Sequence, residues 1–361
     1  ANVAVKQLTR LSPNEAAEWA PFLRPVSSRF SRPLREEFGW WNLEQEATMD
    51  GSNLTAAALL GSFSHADPAE LVSLVERASP AQLKFLLPSI RQSRDEIIDQ
   101  LAEIAGKPHL SNFDTDTLDE AARIQAKAIG LLIGLEADPY PASELFERKL
   151  HPVVIEYLTS LFEHCGVAPE RLSAELADSK SSDALRHLLV SINAYSDSGL
   201  SQEFRTRIER KALLLLKHPS ASVHAASRWM LVRLGWTEND FLSLEVDDRE
   251  GKEWHRLPLG VTMVERTPVN KGITPFAIAA TETTNRQYSK FDSDFSGRDP
   301  DLPCVNMTLY EIFRFCNWLS HSEGIPEEEW CYIPSGQPDK LEPVASIEKR
   351  RGYRLPTEKE W

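Results

Sequence analysis

At 361 residues, with 42% apolar and 26% charged side chains, the chain is long enough for two or three domains with buried cores and too apolar for disorder. Its net charge of −14 is uneven: residues 251–361 carry 14 basic and 17 acidic side chains, which leaves 26 against 37 and thus −11 for residues 1–250. A surface that acidic repels phosphate backbones and argues against a nucleic-acid partner, and the longest apolar run, around residues 128–133, is far too short to span a bilayer.

The first stretch of note, VAVK at residues 3–6, is similar to the strand that carries the ATP-binding lysine of a protein kinase. No glycine-rich loop precedes it and neither HRD nor DFG follows, so Lys6 has no phosphates or magnesium to serve. A kinase within this chain is rejected. Residues 1–242 then read as helix after helix. DPAELVSLVERA (67–78) begins with Asp67 as N-cap, Pro68 at the first helical position and Glu70 at the third. SPAQLKFLLPSI (79–90) repeats the Ser-Pro opening. In residues 223–235, Val223, Ala226, Met230, Leu231 and Leu234 recur at helical spacing, and Gly235 is placed to end the helix. Small-then-aliphatic blocks recur loosely at 53–61, 126–134 and 224–235. Stacked hairpins of the HEAT-like solenoid kind suit this pattern, and a compact bundle has the same periodicity.

Residues 243–254 (SLEVDDREGKEW) break the helical texture and are assigned as an acidic linker, so the expected parts are 1–242, 243–254 and 255–361. PFAIAATET (275–283) has the residues of a strand and leads into a Thr284/Gln287 capping box. Residues 308–324 form the clearest helix: Thr308 caps it with Glu311, the buried stripe is Ile312, Phe315, Cys316 and Leu319, and Gly324 closes it. WCYIP (330–334) reads as a strand. The last residues, RGYRLPTEKEW, hold a third capping box at Thr357 and Glu360, stapled by Pro356 and Trp361. A lone first turn is a poor terminus, which predicts that the chain is cut within a domain. Short elements with long loops describe an α+β domain.

Four cysteines (Cys165, Cys304, Cys316, Cys331) form no CxxC pair, which, with no signal peptide or membrane span, predicts a reduced, cytoplasmic protein. Cys316 on its helix stripe reads as a small hydrophobe, and nothing near Cys304 or Cys331 lowers a thiol pKa. DSDFSGRDPD (292–301) mimics a calcium loop with Asp292, Asp294, Ser296 and Gly297, but position twelve is Pro303 instead of the bidentate Glu, so it reads as a solvated acidic loop. The histidines form no HxxxH or HExxH arrangement, and neither GxSxG nor a P-loop occurs. No residue is assigned a catalytic or metal-binding role.

Three motifs carry a family resemblance: FAIAATETTNRQYSKF, PCVNMTLYEIFRFCNWLSHSEGIP and GYRLPTEKEW. In that order they resemble the formylglycine-generating enzyme (sulfatase-modifying factor) family. The resemblance falls on Glu282, Asn285, Asn306, Asn317, Trp318, Tyr353, Arg354, Leu355, Pro356, Thr357, Glu358 and Trp361, whose expected role is structural. Aromatics with a polar tip suit half-buried joints, and Arg354 is expected to pair with Glu358 near the helix start. The resemblance implies a C-type-lectin-like α+β domain, truncated at its C-terminus. It implies oxidation of a peptidyl cysteine to formylglycine with copper and oxygen, by two cysteines that would lie beyond Trp361 together with most calcium positions. The family's opening methionine-glycine segment is missing. Relatives that share the fold include ergothioneine-pathway iron enzymes and plain binding domains. The helical region resembles the one preceding this domain in multidomain bacterial proteins of the planctomycete kind, where a serine/threonine kinase lies upstream. A protein or peptide partner is expected for either an enzyme or a scaffold.

Overall fold

The structure, a computed structural model, describes residues 2–39, 51–64, 67–107, 115–137, 142–147, 150–244, 251–267, 274–295, 299–336 and 340–360. The chain divides into two units: residues 1–216 with 222–236, and residues 217–221 with 237–361.

The first unit is helical. Its helices are α1 (Asn2–Leu8), α2 (Pro13–Leu23), α3 (Ser31–Phe38), α4 (Gly51–Ser64), α5 (Pro68–Arg77), α6 (Pro80–Gln92), α7 (Arg94–Ala105) and α8 (Thr115–Gly134). They continue with α9 (Ala142–Glu147), α10 (Pro152–Leu161), α11 (Pro169–Asp178), α12 (Ser182–Asn193), α13 (Gln202–Leu215) and α14 (Ala221–Arg233). Residues 3–6 lie in α1, not in a strand: with no neighbouring strand to complete its hydrogen bonds, VAVK satisfies its backbone locally. The N-caps at Asp67 and Ser79 form as their spacing predicts, the second as a full capping box with Gln82.

Two of the small-then-aliphatic blocks become the innermost helices. In α4, Thr55 to Gly61 is buried without interruption, and α2, α3, α5 and α6 pack around it. In α8 the buried run is Gln125 to Ile133, enclosed by α5, α7 and α10. Small side chains allow this all-round burial because they let neighbouring backbones come close. The closest approach is at Gly130 and Gly134, one turn apart. A Cβ at Gly130 would lie 2.8 Å from the Cys165 sulfur, and one at Gly134 only 2.1 Å from the Cys165 carbonyl oxygen.

Helix C-termini in this unit leave carbonyls without intrahelical partners, and side chains from later in the chain take them up. Arg77 donates to the Gly39 carbonyl at 3.1 Å, Arg171 to Ile133 at 2.6 Å, and Arg233 to Tyr195. Each of these spans 38 residues. Lys127, 1% exposed, does the same for α5, donating to the carbonyls of Glu76 at 2.6 Å and Ala78 at 2.9 Å. Burial, with the neighbouring Arg123 charge, draws its pKa from 10.5 down to about 7.

The second unit begins with residues 217–221, which receive the start of β1: Glu253 N–H donates to the Pro219 carbonyl at 3.0 Å and the Trp254 indole to the His218 carbonyl at 2.8 Å. Helix α15 (Glu238–Ser243) follows a Thr237/Asp240 capping box. Strands β1 (Trp254–Arg256), β2 (Thr262–Arg266) and β3 (Phe276–Ala279) form an antiparallel meander in that order, with Trp254 opposite Val264 and Val264 opposite Ile278. Trp254, placed at the end of an acidic linker by composition, is buried and opens the sheet; residues 245–250 lie outside the described residues. After the sheet come α16 (Asn285–Tyr288), α17 (Leu309–Ser322) and the antiparallel pair β4 (Tyr332–Pro334) and β5 (Leu341–Pro343). The short pair β4–β5 packs on α17.

Two outcomes check this account of the helical unit. Gly134→Ala is expected to destabilise by about 3 kcal/mol or more, because its obstacle is a backbone oxygen. Gly130→Ala meets a side chain instead, so Cys165→Ala should relieve it in a double-mutant cycle and leave Gly134→Ala unrelieved; equal relief at both glycines would contradict the geometry. Lys127 binds its proton more weakly folded than unfolded, so it penalises folding fully below pH about 7, and the penalty fades as the pH rises toward 10.5. The melting temperature of the native protein minus that of Lys127→Met should therefore rise across this window; a flat difference would refute a depressed pKa.

Candidate functional site

The residues of the three motifs gather around α17 in two clusters. On one side stands an aromatic group centred on Tyr288, whose ring lies 5.5 Å from Phe291, 4.6 Å from Phe295 and 5.1 Å from Phe315. Trp318 joins it, half-buried, 5.7 Å from Phe291 and 5.8 Å from Phe315. The Thr284/Gln287 capping box turns the chain so that Tyr288 points inward. Burial pushes the Tyr288 phenol up to about 12.

A loop is clamped beside this cluster. Asn285 is buried, its amide donates to the Asp299 carbonyl at 2.8 Å, and its backbone N–H donates to Leu302 at 2.9 Å. Arg286 N–H donates to Pro300 at 2.9 Å, Cys304 N–H to Thr283 at 2.8 Å, and Thr284 bridges to Pro303. Pro303, the residue that spoils the calcium-loop pattern, is thus part of this bridge. Asp292 accepts from the N–H of Asp294 at 3.1 Å and so serves its own turn; Ser296 and Gly297 lie outside the described residues. Glu282 is exposed at the edge of this region, and Asn306, also exposed, has φ +65°.

On the other side of α17 the motifs are tied together by Tyr332. Its carbonyl accepts from the Asn317 amide at 2.8 Å, its ring stacks on Phe313 with centroids 4.0 Å apart, and its hydroxyl accepts from Leu355 N–H at 3.1 Å. Tyr353 N–H donates to Ser320 Oγ at 2.9 Å. The Cys331 thiol donates to the Gly352 carbonyl at 3.1 Å, and Gly352 N–H donates to Glu329 at 2.9 Å, an approach that leaves only 2.8 Å between that oxygen and an added Cβ. Burial pushes the Cys316 thiol up to about 12 and raises that of Cys331.

Arg354 does not pair with Glu358. It holds Glu360 bidentately at 2.8 and 2.6 Å, and Glu358 is exposed. The same Glu360 carboxylate accepts from Thr357 N–H at 2.8 Å and Oγ–H at 3.0 Å, while Glu360 N–H turns to the Thr357 carbonyl at 3.0 Å. The capping glutamate is thereby curled back over its own turn and reaches Arg354, which Glu358, pointing away, does not. Pro356 is exposed and Trp361 lies outside the described residues. Spacing alone overlooks Tyr332, Ser320 and Glu360 as partners of these motifs; only the Thr-x-x-Glu pattern signals the last.

Among the described residues no group of three or more His, Cys, Asp or Glu side chains is placed to hold a metal ion. Two of the thiols here do not fit the copper that the resemblance implies: Cys316 and Cys331 are buried in packing, with protons held firmly by burial, and a copper ligand must be a thiolate. Asp292 and Asp294 do not by themselves make a calcium site.

Residues 248–361 match the family described as Sulfatase-modifying factor enzyme 1-like domain. This is the stretch that holds all three motifs. No curated protein and no solved structure matches the chain.

The Arg354–Glu360 pair generates a measurable expectation. Its hydrogen bonds hold the Glu360 carboxyl down to about 2, below its ordinary 4.5. Its stabilisation is present above pH 4.5 and is lost as the pH falls from there through about 2. Glu360→Gln should lower stability at neutral pH by about 1–3 kcal/mol and remove that part of the acid limb; an unchanged acid profile would show that the pair contributes nothing.

Proposed function

We propose that this protein works by recognition, with a stacked-helix module and a sulfatase-modifying-factor-like domain that hold protein or peptide partners. The observation that carries this reading is the clamped loop of the second unit. Leu302 and Val305 are each 56% exposed, Leu309 just beyond them is 60% exposed, and Tyr310 adjoins. Four backbone and side-chain links to residues 283–286 fix the loop behind them. A rigid apolar edge loses little entropy when a partner covers it. The stacked reading of the helices is supported by arginines that reach back from a later helix to the end of an earlier one, as Arg77, Arg171 and Arg233 do. Short strands and long loops in the second unit suit the lectin-like framework of the resemblance.

The family match favours a second reading, oxidation of a peptidyl cysteine to formylglycine with copper and oxygen. Cys316 and Cys331 are buried in packing and do not supply its thiols, which leaves half-buried Cys304 among the described cysteines of this stretch. One experiment separates the two. A displayed library of cysteine-containing peptides is selected on the immobilised protein, and enriched peptides are then incubated with it, copper and air. Recognition predicts saturable binding that Leu302→Asp with Val305→Asp weakens at least about tenfold, with no aldehyde formed. Failure to enrich any peptide, or a copper-dependent aldehyde on the peptide, would overturn it.

A further inference from the structure

We infer that the outer face of the α13–α14 hairpin docks an acidic amphipathic helix of a protein partner. The inference deepens the recognition reading by giving the helical unit's partner a chemistry. It starts from charge. Residues 1–250 are strongly acidic, yet residues 205–233 hold Arg205, Arg207, Arg210, Lys211, Lys217, Arg228 and Arg233 against Glu209 alone. Two of these cations have internal work, since Arg205 and Arg233 both bind Asp197. Arg207 lies over the Phe204 ring at 5.2 Å. Arg210 and Lys211 meet no carboxylate among the described residues.

The register of both helices turns apolar side chains outward among those cations. Helix α13 buries Phe204, Ile208, Ala212 and Leu215, and its opposite stripe is Arg207, Arg210 and Leu214 at spacings of three and four. Leu214 is 74% exposed. Helix α14 buries Val223, Ala226, Met230 and Leu231 and exposes Trp229, at 52%, and Val232. The helices run antiparallel. His224 Nδ1 is 2.7 Å from the Leu216 carbonyl at one end, and the Trp236 indole donates to Glu209 at 2.7 Å towards the other. Each helix buries one face and leaves its own outer stripe in solvent.

Leu214 with Arg207 and Arg210 on its own stripe, and Trp229 with Val232 on the following helix, provide apolar anchors and a charged rim. The backbone of a helical hairpin is already hydrogen-bonded, so it offers no edge for an added strand, and the matching ligand is a helix that meets side chains with side chains. Its free face complements the arginines if it is acidic. An anionic membrane has the same local chemistry but extends over the whole protein. Such a plane meets the surrounding −11 of residues 1–250, whereas a peptide feels only what lies within a Debye length, about 8 Å at physiological salt.

The test uses the full chain and a synthetic helix of about 18 residues, five turns, with leucines on one face and glutamates on the other. Its lysine-for-glutamate counterpart and phosphatidylserine vesicles are run beside it. Fluorescence anisotropy should show saturable binding of the acidic peptide that weakens as salt rises. Arg207→Glu with Arg210→Glu should weaken it at least about tenfold and should transfer binding to the lysine peptide, and Leu214→Asp should weaken it similarly. Unchanged melting curves for these surface variants keep the comparison fair. Absence of saturable binding, equal binding by the variants, uptake on vesicles in place of the peptide, or self-association abolished by Leu214→Asp would each overturn the inference. If the library selection on the second unit succeeds while this test fails, the recognition reading stands and only the helical docking face falls.

Discussion

Tyr332 is the residue on which the motif region depends. One side chain and one carbonyl join the Cys-Asn-Trp helix, the short β4–β5 pair and the Leu-Pro-Thr segment, through a carbonyl acceptor, a stacked ring and a hydroxyl acceptor. None of these three elements is long enough to be stable by itself: β4 has three residues and the last turn has no helix behind it among the described residues. Their order comes from being tied to a common point. Cys331, next in sequence, adds its thiol hydrogen bond to the same junction and is fully buried there, which is why it serves as packing and not as a reactive group.

The helical unit answers a different constraint. Many short helices mean many helix ends, and each end exposes carbonyls that need donors. Arg77, Arg171, Arg233 and Lys127 supply them from helices further along the chain. Lys127 is the extreme case, since it is almost wholly buried and donates to two carbonyls. The two innermost helices carry small residues between their aliphatic ones, Ala56 to Ala58 in one and Ala126, Ala128 and Gly130 in the other, and this lets neighbouring helices come close.

Much of this was legible beforehand, because capping is a local code. Asp67, Ser79, Thr284 and Thr308 each start a helix where their spacing says, since the interaction is complete within four residues. The strands were harder. The span of β2 is not predicted as a strand, and Trp254 sits in an acidic run, because a three- to five-residue strand is defined by a partner elsewhere in the chain. Lys127 was hidden in an apolar block whose periodicity marked it only as core. The Arg354 partner was misassigned because helical spacing favours Glu358, while capping bends Glu360 back. The aromatic cluster was partly visible in Phe315 and Trp318, but its centre, Tyr288, lies on a different element.

The links that hold both units together are close in sequence. In the motif region they span 15 residues from Asn317 to Tyr332, 23 from Tyr332 to Leu355 and 33 from Ser320 to Tyr353, and in the helical unit the clamps span 38 for Arg77, Arg171 and Arg233 and 49 to 51 for Lys127. Contacts so local carry a small loop-closure cost and favour rapid folding. During synthesis each segment can therefore be sealed by the one that emerges next, with little apolar surface left waiting for a distant partner. The Lys127 clamp is the longest of these reaches, since it seals the end of α5 only once α8 has been made.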